Sequence, residues 1–326
     1  MQQPASSGKK NKNEYQLIMK KYITFLAVLL VGSISAFAQP SSQDYMNRYN
    51  ILLKNLGPTG VGMETLIDRW EASYPDDENM MLGKFSFYYN KSQTTEVVKK
   101  DVDRYLGNPP FLALKDSLNT PVNYFQIVNF DDSLYGIAST QINKLIAKEP
   151  ARLDFRFLKV SSLIAYEKDS PDMALSELRG LIDYNYHNTS NWVYPNEEVD
   201  NDFFKSAMQE FCYTIFKMGS PACYKAFKDL SQLMLNYNPN DILYMDNMGS
   251  YYLVAEHNSK MALKYYNKVL KAKPDDITAI QNCILLARND RNLKLEKKYL
   301  PMLIKNAPDD ATKASAQSRL DSLNSK

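Results

Sequence analysis

From residue 43 onward, apolar side chains recur three and four positions apart, the spacing that lines one face of a helix. Ala262, Tyr266 and Val269 hold offsets of 0, 4 and 7, with Pro274 at 12. The same offsets recur in Met63, Ile67, Trp70 and Pro75, and again in Ala138, Ile142, Leu145 and Pro150. Glu296, Leu300, Leu303 and Pro308 keep them apart from the leading glutamate. Read along the chain, the pattern predicts helices near 43–56, 62–74, 78–90, 94–106, 133–149, 152–168, 171–184, 198–217, 221–237, 241–256, 259–272, 276–290, 293–306 and 310–323. Two segments refuse it. Residues 107–132 set aromatic and β-branched residues on either side of turn chemistry, which predicts a small β-hairpin or an extended insertion. Residues 184–201 form an aromatic, Asn-rich loop holding Trp192 and Tyr194.

The joints repeat as well. Pro75-Asp76-Asp77, Pro239-Asn240-Asp241, Pro274-Asp275-Asp276 and Pro308-Asp309-Asp310 each separate two amphipathic stretches. Proline cannot continue a helix, and a carboxylate just after it caps the next one and suits its dipole. Pro274 and Pro308 stand 34 residues apart, and Pro239 and Pro274 stand 35 apart. In the preceding helix, Gly249 is small enough for its neighbour to approach closely.

At this point the chain resembles the tetratricopeptide repeat (TPR) family. The resemblance rests on Met245, Met248, Gly249, Tyr252, Ala262, Tyr266, Val269 and Pro274, with one extra residue in the turn near His257. The best repeats span 241–308; in the second of them Ile284 replaces the small residue and Glu296 the alanine. Earlier units keep the helical pairing but drift from the pattern. The resemblance implies an all-α, TPR-like α-solenoid of antiparallel helical hairpins. It also implies a partner-binding groove lined by the first helix of each pair. Carried across by spacing from each proline, the groove includes Leu82 and Tyr89, then Phe157, then Asp246 and Ser250, then Gln281 and Arg288. These are not the Lys, Asn and Arg that family members use to hold a C-terminal carboxylate, so a chaperone-tail clamp is not expected.

Composition narrows the function. The chain has 326 residues, 44% hydrophobic and 23% charged, and so is neither disordered nor a disulfide-stapled miniprotein. Its formal charge of +2 hides an asymmetry. Residues 1–38 carry five lysines and one glutamate, a net +4, which leaves 34 basic against 36 acidic residues in the rest. That balance of −2 gives no electrostatic footprint for nucleic acid. Lys20-Lys21, an apolar run over 22–31 and Ala36-Phe37-Ala38 together read as a signal peptide cleaved after Ala38. Ten apolar residues are too few to span a bilayer, so no transmembrane span is expected in the mature chain. Met19 stands better placed as a start than Met1, with residues 1–18 as an upstream misreading or a polar leader. The expected domains are a leader over 1–38 and one TPR-like helical repeat domain over 39–326.

Catalytic signatures are missing from the sequence. It holds two histidines, His187 and His257, and lacks HExxH, CxxC, GxSxG, GxxxxGK[ST] and GxGxxG. No metal, cofactor or catalytic residue is therefore expected. Cys212 and Cys223 stand eleven apart across the Gly219-Ser220-Pro221 turn, close enough for a bridge between facing helices, but buried free thiols are the expected state for these and for Cys283. Three Asp-Ser-Leu triplets, at 116–118, 132–134 and 321–323, resemble the acceptor of protein O-glycosylation in Bacteroidetes. The Tyr- and Asn-rich style of the chain likewise resembles secreted TPR proteins of that group. The sequence thus predicts a non-enzymatic, exported scaffold that binds a protein or peptide in the periplasm or cell envelope. The alternative is a glycan- or peptidoglycan-fragment-binding module using Trp192 and Tyr194, because an exposed loop aromatic can stack on a sugar or anchor a protein. An enzyme built on the helices is the third reading.

Overall fold

The computed structural model describes residues 40–187 and 191–325. The predicted leader, its cleavage point after Ala38 and residues 188–190 of the Asn-rich loop lie outside the described residues. Within them the chain forms thirteen helices and three strands. These are α1 Ser42–Leu56, α2 Met63–Ser73, α3 Glu78–Lys91, β1 Gln93–Lys100, β2 Leu112–Lys115, β3 Pro121–Phe130, α4 Asp132–Lys148 and α5 Leu153–Glu167. They continue with α6 Asp172–His187, α7 Asn201–Met218, α8 Pro221–Tyr237, α9 Ile242–Val254, α10 Ser259–Ala272, α11 Ile277–Asn289, α12 Leu293–Asn306 and α13 Asp310–Asn324. Consecutive helices pack in pairs, as in an all-α solenoid with a small sheet inserted.

The proline-acid joints work through their carboxylates. Asp77, Asp241 and Asp276 are the N-caps of α3, α9 and α11, accepting from the backbone N–H of Met80, Leu243 and Ala279. The last joint differs by one residue: Asp309, not Asp310, caps α13 and accepts from Thr312 N–H.

Packing divides the chain into two compact units. The first holds residues up to Asp103, Pro110–Ser162 and Asn191–Glu198; the second holds Arg104–Pro109, Leu163–Ser190 and Val199–Lys326. In the first unit, Met63, Ile67 and Trp70 from α2 join Ala138, Ile142 and Leu145 from α4 in one buried cluster with Tyr49, Met80 and Phe155. These are the residues of the repeated offsets, so the 0-4-7 pattern is a core stripe. In the second unit Ala262, Tyr266, Val269, Leu300 and Leu303 are buried in the same way. Gly249 meets Tyr266 so closely that a Cβ there would lie 2.4 Å from the ring. The next pair holds buried Ile284 and Leu300 at the corresponding positions, the larger residue having moved to the first helix. All three cysteines are buried and free.

The segment 94–106, predicted helical, is the main correction. Residues 93–100 are strand β1, paired antiparallel with β3 from Gln93↔Phe130 to Lys100↔Asn123. Thr94, Thr95, Val97 and Val98 are β-branched, which disfavours a helix and suits a ladder. The predicted insertion supplies the other two strands, in the order β1-β3-β2. Its turn is closed by Asp116, whose Oδ1 accepts from Leu118 N–H (2.9 Å) and Thr120 N–H (2.8 Å). The sheet is an insertion within a helical pair, for α3 and α4 pack on each other as neighbours despite it.

Candidate functional site

The predicted groove residues fall in both units. In the first, Leu82 and Tyr89 on α3 lie against the core cluster. Tyr89 stacks on Phe85 at 5.6 Å and is flanked by Phe130 and Tyr135 at 5.8 and 6.4 Å. Burial pushes its hydroxyl up to about 12, so it stays protonated at neutral pH. Phe157 on α5 is buried and meets Tyr194 at 6.2 Å. The loop carrying Tyr194 is stitched to the start of α5: Leu153 N–H donates to Val193 O (3.0 Å), and Val193 N–H donates to Ala151 O (2.9 Å). That stitch tucks Trp192 inward, 8% exposed, with the Arg156 guanidinium 5.5 Å from its ring. The indole leaves little face for a sugar to stack on.

The sheet presents what the loop does not. Leu112 and Leu114 of β2 pair with Tyr124 and Val122 of β3, while Val97 and Thr95 of β1 pair with Gln126 and Val128. Alternate positions share a face, so these side chains stand together, and Phe125 points to the other side, where it is 2% exposed. The sheet is open on both sides, and Phe125 is the buried residue among its three strands. The face opposite Phe125 shows Val97, Leu112, Leu114 and Val128 at 37–54% exposure, interleaved with exposed Thr95, Lys99 and Gln126, and Phe111 and Leu118 stand alongside on neighbouring loop residues. Among the described residues, seven of the seventeen exposed large apolar side chains fall within 93–130, a concentration rather than a scatter.

In the second unit, Asp246 and Ser250 share one face of α9, one turn apart. Ser250 Oγ lies 3.4 Å from the Tyr266 hydroxyl. Asp246 Oδ1 is sealed from solvent without a hydrogen-bond partner, although the residue keeps some exposure. Burial raises its carboxyl to about 7, and the neighbouring Asp276 carboxylate pushes the same way. Gln281 is half-buried on α11. Arg288 is exposed and committed to Glu296, its Nε 2.6 Å from Oε1. Arg319 grips the same carboxylate with two bonds of 2.9 and 2.8 Å. The glutamate standing where the repeat pattern has alanine is thus 1% exposed and paired twice.

An open hollow of about 260 Å³ lies between α6 and α8, lined by Arg179, Asp183, Asp229, Gln232, Leu233 and Asn236. Its charges are already engaged: Arg179 pairs with Asp229 at 2.7 Å, and Asp183 accepts from the Tyr237 hydroxyl at 2.9 Å. His187 ends α6 with Nδ1 3.2 Å from that hydroxyl, and His257 is exposed in a turn with φ +50°. Ser117, Ser133 and Ser322 of the Asp-Ser-Leu triplets are all exposed. Among the described residues, no three His, Cys, Asp or Glu side chains could hold a metal ion together, and no helix is long and apolar enough to cross a membrane. No protein-family model and no curated protein matches the chain.

Sequence reasoning missed the outward sheet face. Its signal was there: Leu112, Leu114, Val122 and Tyr124 are apolar at every second position on two adjoining strands.

Proposed function

We propose that this chain is a non-enzymatic, exported, TPR-like scaffold that docks a protein partner in the periplasm or cell envelope. The observation that carries the reading is the outward apolar face of the β1-β3-β2 sheet, a surface that monomeric proteins rarely leave in water without a use for it. The paired helices and proline-acid joints support the TPR likeness, and the basic, apolar and small-residue sequence of 20–38 supports export. The buried Trp192 favours the scaffold over the glycan-binding alternative.

The test is affinity capture from native envelope extract, followed by mass spectrometry of both proteins and released glycans. The reading expects a stoichiometric protein that is lost when Val97→Lys and Leu114→Glu are introduced together. Both positions are exposed, so circular dichroism and thermal melting stay close to wild type. A glycan captured without protein overturns the proposal in favour of the alternative. A partner retained by the double variant removes the sheet as the docking surface.

A further inference from the structure

The near-neutral balance of residues 39–326 conceals a strongly basic face. Helix α10 carries four lysines and no acid; α12 carries four lysines and one acid, Glu296, which is buried and held by two arginines. The rest of 39–326 holds 26 basic against 35 acidic residues. All eight lysines are exposed. Six of them pair off at the repeat distance of 34: Lys260 with Lys294, Lys264 with Lys298, and Lys271 with Lys305. The two helices touch, the Tyr299 hydroxyl donating to Asn267 Oδ1 at 2.8 Å, so equivalent positions stand side by side. Ala262, Tyr266 and Val269 on α10, and Leu300 and Leu303 on α12, face the core, and the lysines take the opposite side. Among the described residues no carboxylate pairs with any of the eight; the ion pairs of this region belong to Lys273, Arg288 and Arg319. Lysines four apart on a helix repel one another, and a face needed only for solubility would mix both signs.

We infer that the outward lysine face of α10 and α12 is a docking surface for an anionic lipid bilayer, recognised through its headgroup phosphates. Each lysine row covers about 16 Å, and packed helices lie about 8–10 Å apart, which makes a broad field rather than a cleft. Lysine is a compact, hydrated charge without the fork that grips one particular carboxylate or phosphate, so it suits a laterally mobile sheet of charge. A protein partner is a poorer match. Protein interfaces are depleted of lysine and anchored by large apolar or aromatic side chains, and on these two helices Leu293 is the exposed large apolar residue. Single-stranded nucleic acid needs open aromatic platforms, whereas Tyr266 and Tyr299 are buried and Lys268 Nζ lies 5.2 Å over the Tyr265 ring. The inference does not rest on the scaffold reading, whose docking face is on the sheet.

The experiment is partition of the whole protein onto vesicles of pure phosphatidylcholine and of its equal mixture with phosphatidylglycerol. The ratio of the two affinities is the readout, and the apolar run at 22–31 is common to every variant. Each lysine held at an anionic surface is worth about fivefold in affinity. Lys264→Gln, Lys271→Gln, Lys294→Gln and Lys305→Gln together are therefore expected to lower the anionic preference about a hundred-fold or more, with an unchanged circular dichroism spectrum because all four side chains are exposed. Raising the salt concentration should weaken the wild type in the same direction. Lys54→Gln, Lys99→Gln, Lys115→Gln and Lys144→Gln remove equal charge from exposed positions elsewhere and should keep most of the preference. No preference for the anionic vesicles, a preference indifferent to salt, or an equal loss in this matched control overturns the inference. Duplex DNA or polyglutamate bound more tightly per charge than the vesicles, and lost in the first variant, overturns its assignment to a bilayer.

Discussion

The last helix hangs on few contacts, and one of them can be removed cleanly. Among its residues α13 buries only Ala316 and Leu323, and Arg319 lies between them on the same face, three and four positions away. Burying one leucine is worth about 1.5–3 kcal/mol, and alanine less. A hydrogen bond to a charged group contributes about 1.5–3 kcal/mol. Arg319 makes two such bonds to Glu296, but its side chain is 37% exposed, so water recovers much of that when the pair breaks. Arg319→Ala is therefore expected to lower the opening free energy of α13 by about 1–2 kcal/mol. That corresponds to a roughly 5- to 30-fold rise in amide hydrogen exchange. The rise should be confined to Asp310–Asn324 and the facing turn of α12, because Glu296 keeps Arg288 as a partner. Acid supplies an internal control. The two arginines hold the Glu296 carboxyl below the usual range, so the pair's contribution is present above the unfolded value of about 4.3 and is lost as pH falls through the folded one. The difference between wild type and Arg319→Ala should close in that window. Unchanged exchange in α13, or an equal rise in α6 and α8, would refute the reasoning.

Other expectations follow from single contacts. Gly249→Ala sets a Cβ 2.4 Å from the Tyr266 ring, and a loss of about 1–3 kcal/mol in urea unfolding is expected, relieved in part by pairing it with Tyr266→Leu, which reproduces the smaller partner of the next pair. Asp246 titrates high in the folded state, so its burden is absent below about pH 4 and grows as pH rises to about 7. Asp246→Asn should consequently stabilise the protein at pH 8 by at most about 4 kcal/mol and not at pH 4, as read by chemical unfolding at both pH values. Trp192→Ala should behave as a core truncation, costing about 3 kcal/mol or more, and should lower the melting temperature even if partner capture survives.

Most of the helical architecture is legible in the sequence because its causes are local. Offsets of 0, 4 and 7 place Met63, Ile67 and Trp70 on one stripe whatever lies beyond, and the capping aspartates act within three residues of themselves. What escapes is what depends on distant partners. Strand β1 carries a local hint in its β-branched Thr94, Thr95, Val97 and Val98, but its ladder exists only with β3, whose last residue lies far along the chain. Trp192 sits in a polar, non-periodic loop, and its burial follows from backbone bonds to Ala151 and Leu153 that no local pattern announces. Asp246 and Ser250 are placed on a common face by spacing alone. That Asp246 Oδ1 is left buried without a partner depends on what packs around α9 and is not announced by that spacing. Arg288 is the reverse case: its position was expected in the groove, and a second arginine from α13 joins it on Glu296.

The strand order of the insertion also sets a timetable for synthesis. Helical pairs elsewhere close between neighbours, so each can form as soon as its second helix is made. Strand β1 cannot, since its ladder runs from Gln93 against Phe130, and the intervening β2 pairs only with the same late strand. At a translation rate of about 5–20 residues per second, Val97 and Val98 wait seconds without a partner. Helix α3 waits with them, because α4, on which it packs, follows β3 in the chain. The first hairpin of α1 and α2 therefore matures ahead of the rest of its unit; the appearance of Pro121–Phe130 lets the sheet close, and that of Asp132–Lys148 lets α3 close.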